Sequence, residues 1–376
     1  MCLLSCGHSI LLCNSSCVFV LLYGLSVCQS VLKKIFNLKE MDFLIHCNYL
    51  DTMRDDKTTR RGLKGKLVFN YGPTEHRAML GLSSTFIFIG SWFFSVISPI
   101  IFMFLIIRAD NERASILTVL VLTCFLPFPY CPKIRQFCFE GGTRYFQKSS
   151  LFVEEHILDP GNPKKLLCVH PHGIVSVGWA ILFNSIETAG VKFCFSRALY
   201  CSPFFGLLTR ICGQPYPADK NTFKRLMKCQ DTMALIPGGF EEASITTQNA
   251  NRVYLKNRKG FVKYSLENGY ALIPVFVFGE NKTYFNFQGL WSLRFTLNSF
   301  GIPAVAPIGK WWCPLMPRNK DGIHIVVGKA LELPQIVNPS QEEITEYHTR
   351  YIEALTELYD RHKISYGYEN TPLEVW

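Results

Sequence analysis

A run of 27 residues without a charged side chain, from Gly81 to Ile107, constrains the fold of this chain more than any other feature. A helix of that length is roughly 40 Å long at 1.5 Å per residue, which is enough to cross a lipid bilayer. Pro99 lies within the run and is expected to kink the helix. Burial in a soluble core is a poor alternative for this segment.

A second apolar run follows after a short charged link, from Ser115 to Leu126. A helix over this run is roughly 18 Å long, which is shorter than the hydrocarbon core of a bilayer. We therefore predict a membrane hairpin over residues 79–130, formed by two tilted spans or by a re-entrant loop. For the second segment, burial in a soluble core also remains open.

Basic residues flank both outer ends of this hairpin, whereas the link between its helices carries balanced charges. The flanking residues are Arg60, Arg61, Lys64, Lys66 and Arg77 before it, and Lys133, Arg135, Arg144 and Lys148 after it. Positive charge is enriched in cytosolic loops, so both outer ends are expected to lie in the cytosol. The sequon at Asn281 would then carry no glycan.

The composition agrees with a lipid-facing surface. Charged residues make up 18% of the chain, whereas about a quarter is usual for a soluble domain. The formal net charge of +10 suits nucleic acid, an anionic membrane or an anionic substrate such as a CoA ester. Because the basic residues are dispersed and no Cys/His finger spacing occurs, membrane lipid and an anionic substrate are favoured over nucleic acid. None of the 15 Cys forms a C-x-x-C pair, which is typical of free thiols in a reducing compartment.

The first 78 residues are predicted to be a separate, partly disordered extension. This extension contains an apolar stretch over residues 9–32 that resembles an anchor or signal helix but has no basic segment ahead of it. Translation from Met41 or Met53 is an alternative that removes the stretch.

Strand-like and helix-like segments alternate over residues 131–376, which predicts an α/β domain with a largely buried sheet. The predicted strands are residues 166–169, 191–195, 233–236, 271–278 and 323–327. A helix over residues 261–268 ends at Gly269, a residue suited to a left-handed cap. The last helix begins at a capping box of Ser340 and Glu343 and ends near His362.

The sequence His170-Pro171-His172-Gly173 directly follows one of these strands. A histidine presented by a turn at a strand exit is a suitable general base at neutral pH, here for taking the proton of a substrate hydroxyl. Gly173 would let the backbone approach the reacting centre. Histidines that only satisfy hydrogen bonds of the turn are the alternative. A metal site with Cys168 is disfavoured, because no further Cys/His cluster supplies a fourth ligand.

A second strand exit carries the sequence PGGFEE at residues 237–242. The amides of Gly238 and Gly239 could hold a developing oxyanion or a phosphate. The carboxylates of Glu241 and Glu242 could orient the histidine or the acceptor hydroxyl. A plain turn followed by a helix cap is the alternative.

Two further segments carry candidate binding residues. Residues 258–263 open a helix, and cations beside free helix N–H groups suit the phosphates of CoA. The candidates in this segment are Arg258, Lys259, Gly260, Phe261 and Lys263. A solvated basic helix start is the alternative. Glu280 is the residue of interest in the polar turn after the strand over residues 271–278.

In this order, the segments resemble the diacylglycerol acyltransferase type 2 family. Residues 170–173 are similar to the family's hallmark, and residues 258–280 resemble its long signature. The C-terminal run from Ile323 through His348 to Lys363 is also family-like. The resemblance spans roughly residues 60–376, including the hairpin, and several ordered motifs are more specific than any one alone.

The resemblance implies an acyl-CoA-dependent O-acyltransferase of the endoplasmic-reticulum membrane, which makes triacylglycerol from diacylglycerol and associates with lipid droplets. It also implies an α/β domain related to the glycerolipid acyltransferases, on the cytosolic face. It carries the role of base onto His170 or His172 without choosing between them, and a supporting role onto the Glu242 carboxylate. No cofactor and no metal are expected, and a homo-oligomer is one open arrangement.

Two positions depart from the related patterns. Residues 145–147 read Tyr-Phe-Gln where the family has Tyr-Phe-Pro, which would soften a turn. The glycerolipid acyltransferases place an Asp five positions after their histidine, whereas Val175 and Val177 occupy those positions here. Glu242 is therefore the candidate for orienting the histidine.

The expected mechanism is direct transfer of the acyl group from CoA to the sn-3 hydroxyl of diacylglycerol. Monoacylglycerol and long-chain alcohols are alternative acceptors, because a missing acyl chain changes the shape of the pocket and not the identity of the base. A lipid-binding or lipid-droplet membrane protein without catalytic activity is the alternative outside the enzymes.

Overall fold

The computed structural model describes residues 65–75, 77–155, 164–301 and 304–376. All of them belong to the second of two compact units, which extends from Asp56 to Trp376. The expected extension over residues 1–78 therefore lies almost entirely outside the described residues, as do its apolar stretch and the alternative starts at Met41 and Met53.

The described residues form a mixed set of helices and strands. The helices are α1 (Ala78–Ile107), α2 (Asn111–Thr123), α3 (Pro132–Tyr145), α4 (Val177–Asn184), α5 (Arg197–Tyr200), α6 (Pro203–Cys212), α7 (Lys220–Lys228), α8 (Gly239–Ile245), α9 (Gly260–Asn268), α10 (Trp291–Ser299) and α11 (Gln341–Lys363). The strands are β1 (Lys66–Tyr71), β2 (Ser149–Val153), β3 (Lys165–His170), β4 (Lys192–Phe195), β5 (Pro215–Pro217), β6 (Met233–Leu235), β7 (Asn251–Val253), β8 (Ala271–Phe278), β9 (Phe285–Asn286), β10 (Pro307–Ile308), β11 (Ile323–Val327) and β12 (Leu373–Val375).

Eight strands form one sheet in the order β1-β2-β11-β8-β3-β6-β4-β5. The five strands from β8 to β5 are parallel, whereas β11 runs antiparallel to β8, and β1 antiparallel to β2. Two small sheets pair β9 with β10 and β7 with β12. Parallel strands end at the same edge of a sheet, and in open α/β sheets ligands bind at that carboxyl edge.

Helices cover both faces of the sheet, and the side chains of each strand alternate between two cores. On β3, Leu167 and Val169 belong to the core that also contains residues of α3 and α4. Leu166 and Cys168 belong to the opposite core, with residues of α9 and α11 such as Tyr351. This arrangement confirms the predicted α/β fold.

The five predicted strands all form, as β3, β4, β6, β8 and β11, with boundaries that differ by at most one residue from the expected ones. Gly269 closes α9 with a φ of 66°, in the left-handed region. The capping box of Ser340 and Glu343 is present at the start of α11. These elements depend on local signals, and local signals predicted them correctly.

The first two helices form a hairpin that is linked by residues 108–110. Within the described residues, α1 is the one helix that is long and apolar enough to cross a membrane. It continues through Pro99. With 13 residues, α2 is too short to qualify as a span, as its sequence suggested.

The faces of α1 are the reverse of those of a helix in a soluble protein. Small and polar residues, such as Gly81, Ser84 and Ser95, are buried against the α/β domain. Large apolar residues, such as Met103 and Ile107, are exposed. Interfaces between membrane helices are enriched in small residues, because their other faces contact lipid instead of water. The helix therefore packs against the α/β domain through its small residues and leaves its large apolar residues exposed.

Candidate active site

The candidate site lies at the carboxyl edge of the sheet, where β3, β4, β6 and β8 end. A cavity of about 320 Å³ opens beside the ends of β3, β4 and β6, within the size range of small-molecule sites. Its wall includes His172 after β3, Ser196 after β4 and Gly239 after β6, and its remaining lining is mostly apolar. Phe88, Trp92 and Val96 of α1 also line it. The cavity therefore extends from the strand ends to the apolar helix α1.

The His172 ring is half-buried and lines this cavity. Its Nδ1 lies 2.9 Å from the Gly173 carbonyl oxygen and 3.2 Å from Ser176 Oγ. Because a carbonyl can only accept, the bond to Gly173 requires the proton on Nδ1 and leaves the lone pair on Nε2. Nε2 has no hydrogen-bond partner among the described residues. Burial lowers the pKa of His172, although the Gly173 carbonyl and Glu242 oppose this shift. The ring is thus neutral at neutral pH.

His170 occupies a different environment. It is the last residue of β3, is fully buried and does not line the cavity. Its Nδ1 lies 3.2 Å from Glu242 Oε1, and its Nε2 lies 3.1 Å from the Tyr351 hydroxyl. Both ring nitrogens are therefore engaged within the protein, and the ring is fixed from two sides.

The carboxylate of Glu242 is buried and connects the two strand exits. Oε1 accepts the backbone N–H of His172 at 2.7 Å, and Oε2 accepts the backbone N–H of Tyr254 at 2.8 Å. Together with the contact to the His170 ring, these bonds fix the turn after β3 against the start of α8. The ring that Glu242 contacts is that of His170, whereas the His172 ring is held by Gly173 and Ser176.

Glycine is required in the turn after β3 and in the turn after β6, because side chains pack directly against both turns. A Cβ on Gly238 would lie 1.9 Å from Glu242 Oε2, and one on Gly173 would lie 2.4 Å from Glu280 Cγ. Gly173 and Gly239 also have φ values of 64° and 59°, in the left-handed region. Of these glycines, Gly239 lines the cavity.

Glu280 lies behind the site and does not line the cavity. It is buried, and its carboxylate accepts the backbone N–H groups of Val177 at 2.9 Å and Gly178 at 2.7 Å. These bonds cap the start of α4, immediately after Ser176. Burial raises the pKa of Glu280 to about 7, despite the two backbone donors. The residue thus holds the segment that carries the Ser176 hydroxyl.

Of the three predicted cations, Arg258 lies nearest to the cavity. Its Nη2 would be 4.0 Å from a Cβ placed on Gly239, and it forms an ion pair with Glu241. The buried Nε of Arg258 has no partner within the described residues. Lys259 and Lys263 line no part of the cavity.

The remaining residues of the basic segment have separate contacts. Lys259 donates to Thr345 Oγ1 at 2.9 Å, and Lys263 pairs with Glu267 at 3.8 Å. Gly260 is exposed at the first position of α9. Phe261 is buried with its ring edge on Tyr351, at 5.1 Å between centroids.

Within the described residues, no group of three or more His, Cys, Asp or Glu side chains is arranged to hold a metal ion. Cys168, which alternates with the two histidines in sequence, is fully buried, and burial raises the pKa of its thiol. Its side chain is therefore protonated and faces the core of α9 and α11.

Sequence reasoning missed two kinds of site residue. Tyr351, which contacts His170, lies within the predicted last helix, and nothing in the sequence of that helix distinguishes it from a core residue. Phe88 and Trp92 appeared only as parts of an apolar run. Their place in the cavity wall depends on how α1 packs, and no local signal reports that.

Residues 143–375 match the family model described as diacylglycerol acyltransferase. Human diacylglycerol O-acyltransferase 2-like protein 6 is 32% identical over 249 residues, which cover 58% of this chain and 72% of that protein. Mouse acyl-CoA wax alcohol acyltransferase 1 is 31% identical, over 55% of this chain and 68% of its own length. Human diacylglycerol O-acyltransferase 2 is 30% identical, over 55% of this chain and 58% of its own length.

Among solved structures, the 1-acyl-sn-glycerophosphate acyltransferase of Thermotoga maritima aligns with 74% of this chain and 96% of its own. The sequence identity is 14% and the TM-score is 0.37.

Proposed function

Because this chain belongs to the diacylglycerol acyltransferase family and is an acyltransferase, we propose that it transfers a fatty acyl group from acyl-CoA to the free hydroxyl of diacylglycerol. One observation carries this proposal. A neutral imidazole, that of His172, lines an apolar cavity with its Nε2 unengaged within the described residues, and the same cavity reaches α1.

In the proposed reaction, His172 Nε2 takes the proton of the acceptor hydroxyl as that oxygen attacks the thioester carbonyl. The C–S bond of the resulting tetrahedral intermediate then breaks, and the imidazolium returns the proton to the departing CoA thiolate, which leaves as free CoA. General base catalysis of this kind contributes about 10²–10⁴-fold to a rate. The Gly173 carbonyl would hold the proton of Nδ1 and so stabilise the imidazolium that forms. His170 and Glu242 act as positioning residues, because their contacts fix the backbone of the turn.

The charged parts of the substrate are assigned to the turn after β6. Gly239 lines the cavity and would face the thioester oxygen through its backbone. Arg258 lies beside Gly239, and its guanidinium suits a phosphate of CoA. Lys259 contacts Thr345 and Lys263 contacts Glu267, away from the cavity, so any contribution from them is to the general positive field.

The apolar substrate would reach the cavity from the bilayer. Phe88, Trp92 and Val96 line the cavity from α1, and the outer face of the same helix is apolar. A diacylglycerol could therefore enter beside α1, and the product could leave by the same route. We propose a location in the endoplasmic-reticulum membrane with the α/β domain in the cytosol, and an association with lipid droplets.

A long-chain alcohol is the second candidate acceptor. It is favoured by the identity of 31% to mouse acyl-CoA wax alcohol acyltransferase 1. The catalytic groups described above serve either alcohol equally, because only the apolar part of the acceptor differs.

The test is an acceptor panel with a matched pair of histidine variants. Membranes from cells that lack their own triacylglycerol synthesis would receive labelled oleoyl-CoA with diacylglycerol, monoacylglycerol or hexadecanol. We expect diacylglycerol to be acylated fastest and His172→Ala to lose about 100-fold or more of the rate. His324→Ala is the control, because His324 is also half-buried but stacks on Tyr366 away from the cavity.

Two results would count against the proposal. A His172→Ala protein that keeps the wild-type rate would exclude His172 as the base. A wild-type protein that acylates hexadecanol but not diacylglycerol would replace the first acceptor with the second.

A further inference from the structure

A second apolar surface lies outside the cavity, on β9, β10 and the turn after them. Phe285 and Ile308 are paired across the two strands, and their side chains are 50% and 53% exposed. Trp311 and Trp312 follow at the tip of the turn, 91% and 52% exposed. We call these four residues the aromatic turn surface. Single exposed apolar residues are common, but a contiguous group with two adjacent tryptophans is typical of an interaction surface.

The turn that carries the tryptophans is held by backbone hydrogen bonds. Gly309 N–H donates to the Pro314 carbonyl at 2.7 Å, and Lys310 N–H donates to the Met316 carbonyl at 2.9 Å. The Tyr284 hydroxyl adds a bond of 2.6 Å to the Leu315 carbonyl. The two indole rings are therefore presented to the outside by a fixed backbone.

The turn that carries Trp311 and Trp312 lies near the start of α1. The Lys310 ammonium lies 4.9 Å from the centroid of the Tyr145 ring and 5.6 Å from that of Trp312. The backbone of Tyr145 packs against Gly81 in the first turns of α1, so closely that a Cβ on Gly81 would lie 2.6 Å from Tyr145 Cα. The aromatic turn surface is thus adjacent to the end at which the apolar helix begins. That end marks the level of the membrane–water interface if α1 is inserted.

The cavity provides a second connection to the lipid-facing side. Gly301 and Val305, in the segment between α10 and β10, line the cavity together with Trp92 and Val96 of α1. The segment that leads into the aromatic turn therefore borders the same opening as the membrane helix.

We propose that the aromatic turn surface inserts into the interfacial layer of an anionic lipid bilayer, as a second membrane contact beside α1. Tryptophan is enriched at this layer because its ring is apolar and its N–H is polar. Lys310 can keep its stem against the aromatic rings and direct its ammonium to lipid phosphates. The net charge of +10 also favours an anionic surface. The contact would hold the cavity opening at the depth where apolar substrates lie.

Fluorescence quenching by lipid tests this proposal without reference to activity. The full chain would be reconstituted into vesicles of phosphatidylcholine and phosphatidylserine, with or without bromine on the acyl chains. The signal of Trp311 and Trp312 is the difference between the wild type and the Trp311→Phe/Trp312→Phe variant. We expect brominated lipid to remove about half or more of that difference signal, because interfacial indoles contact the upper acyl chains.

Trp376→Phe is the matched control. Trp376 is half-buried beside Glu374 and Arg252 at the C-terminus, and its removal should leave the lipid-quenched part of the signal unchanged. An aqueous quencher such as iodide should reach the Trp311 and Trp312 signal in detergent but not in vesicles.

Three results would overturn the proposal. In vesicles, the fluorescence of Trp311 and Trp312 could be unaffected by brominated lipid but quenched by iodide, which would place the aromatic turn surface in water. It could be shielded from both quenchers only at high protein-to-lipid ratios, which would identify a second copy of the chain as its partner. Equal quenching in vesicles of phosphatidylcholine alone, unchanged by Lys310→Gln, would exclude the anionic component.

Discussion

At the scale of residues, two histidines that are two positions apart have different surroundings. His170 ends β3 and is buried in the protein. Its two ring nitrogens contact Glu242 of α8 and Tyr351 of α11. His172 lies beyond the turn and lines the cavity. The sequence predicted both as candidate bases, and their surroundings differ because one belongs to the strand and the other follows the turn. The geometry supports His172 in the proposed reaction.

Glu280 shows how a buried carboxylate can serve the site without touching it. It caps α4 through Val177 and Gly178 and packs against Gly173. Its pKa of about 7 lies above the ordinary value of 4.5. Between these two values the folded protein binds more protons than the unfolded chain, so the free energy of unfolding falls as the pH rises through this range.

We expect thermal unfolding in detergent to reveal this dependence. The stability of the wild type should fall between pH 5 and pH 7.5, and the contribution of Glu280 amounts to about 3 kcal/mol for a shift of this size. The Glu280→Gln variant should be less stable than the wild type at pH 5. Its free energy of unfolding should fall less as the pH rises, since glutamine cannot ionise. The exposed Glu346→Gln is the control and should keep the wild-type fall. An unchanged pH dependence in Glu280→Gln would refute the assignment.

At the scale of elements, α1 and α3 pack unusually closely. A Cβ on Gly141 of α3 would lie 2.1 Å from Ser84 Cβ and 3.0 Å from the Leu80 carbonyl oxygen. The adjacent Gly142 has room, since its Cβ would lie 3.5 Å from Ile181. Close approach through small residues is how a lipid-facing helix gains contact with its neighbour.

These two glycines form a matched pair for mutation. Gly141→Ala should lower the free energy of unfolding by about 1–3 kcal/mol, because the added methyl group separates α1 from α3. Gly142→Ala should raise it by about 0.5–1 kcal/mol, because alanine favours the helix and meets ordinary contacts. Unfolding in detergent micelles at increasing denaturant measures both. Equal effects of the two changes would show that α1 does not pack on α3 as described.

At the scale of the whole described unit, the apolar helix α1, the cavity and the aromatic turn surface adjoin one another, and α7 lies outside this group. Cys229 follows α7 and is exposed, whereas Cys168 is fully buried in the sheet. The two thiols therefore report accessibility and folding in the same molecule.

Thiol labelling of sealed microsomes tests the proposed cytosolic side. A membrane-impermeant maleimide added to intact vesicles should label the peptide that contains Cys229, as read by mass spectrometry, and should not label Cys168. Cys229→Ser should remove that signal. Labelling of Cys229 only after detergent opens the vesicles would put the α/β domain in the lumen.

The sequon at Asn281 cannot report on which side of the membrane the α/β domain lies. Asn281 is 3% exposed, its Nδ2 donates to the Ala250 carbonyl at 3.2 Å, and its Oδ1 accepts from the Tyr368 hydroxyl at 3.2 Å. A folded domain would carry no glycan there on either side of the membrane, because the side chain is enclosed.

The sequence by itself determined the features that local physics controls. The uncharged run that becomes α1, the strands with buried side chains, the cap at Gly269 and the capping box at Ser340 each depend on residues that are near one another in the chain. The sequence also suggested Glu242 as the residue that orients the histidine, and the shared carboxyl edge of the parallel strands explains why residues 170–173 and 237–242 lie together.

Only the tertiary structure decided which of the grouped residues lines the cavity. Tyr351 reaches His170 across 181 positions of sequence, and Glu242 reaches the same ring across 72. Trp92 becomes part of the cavity wall, and Trp311 part of an outer surface, through packing between distant elements. No periodicity or motif encodes such contacts locally, because they arise only when the helices close over the sheet.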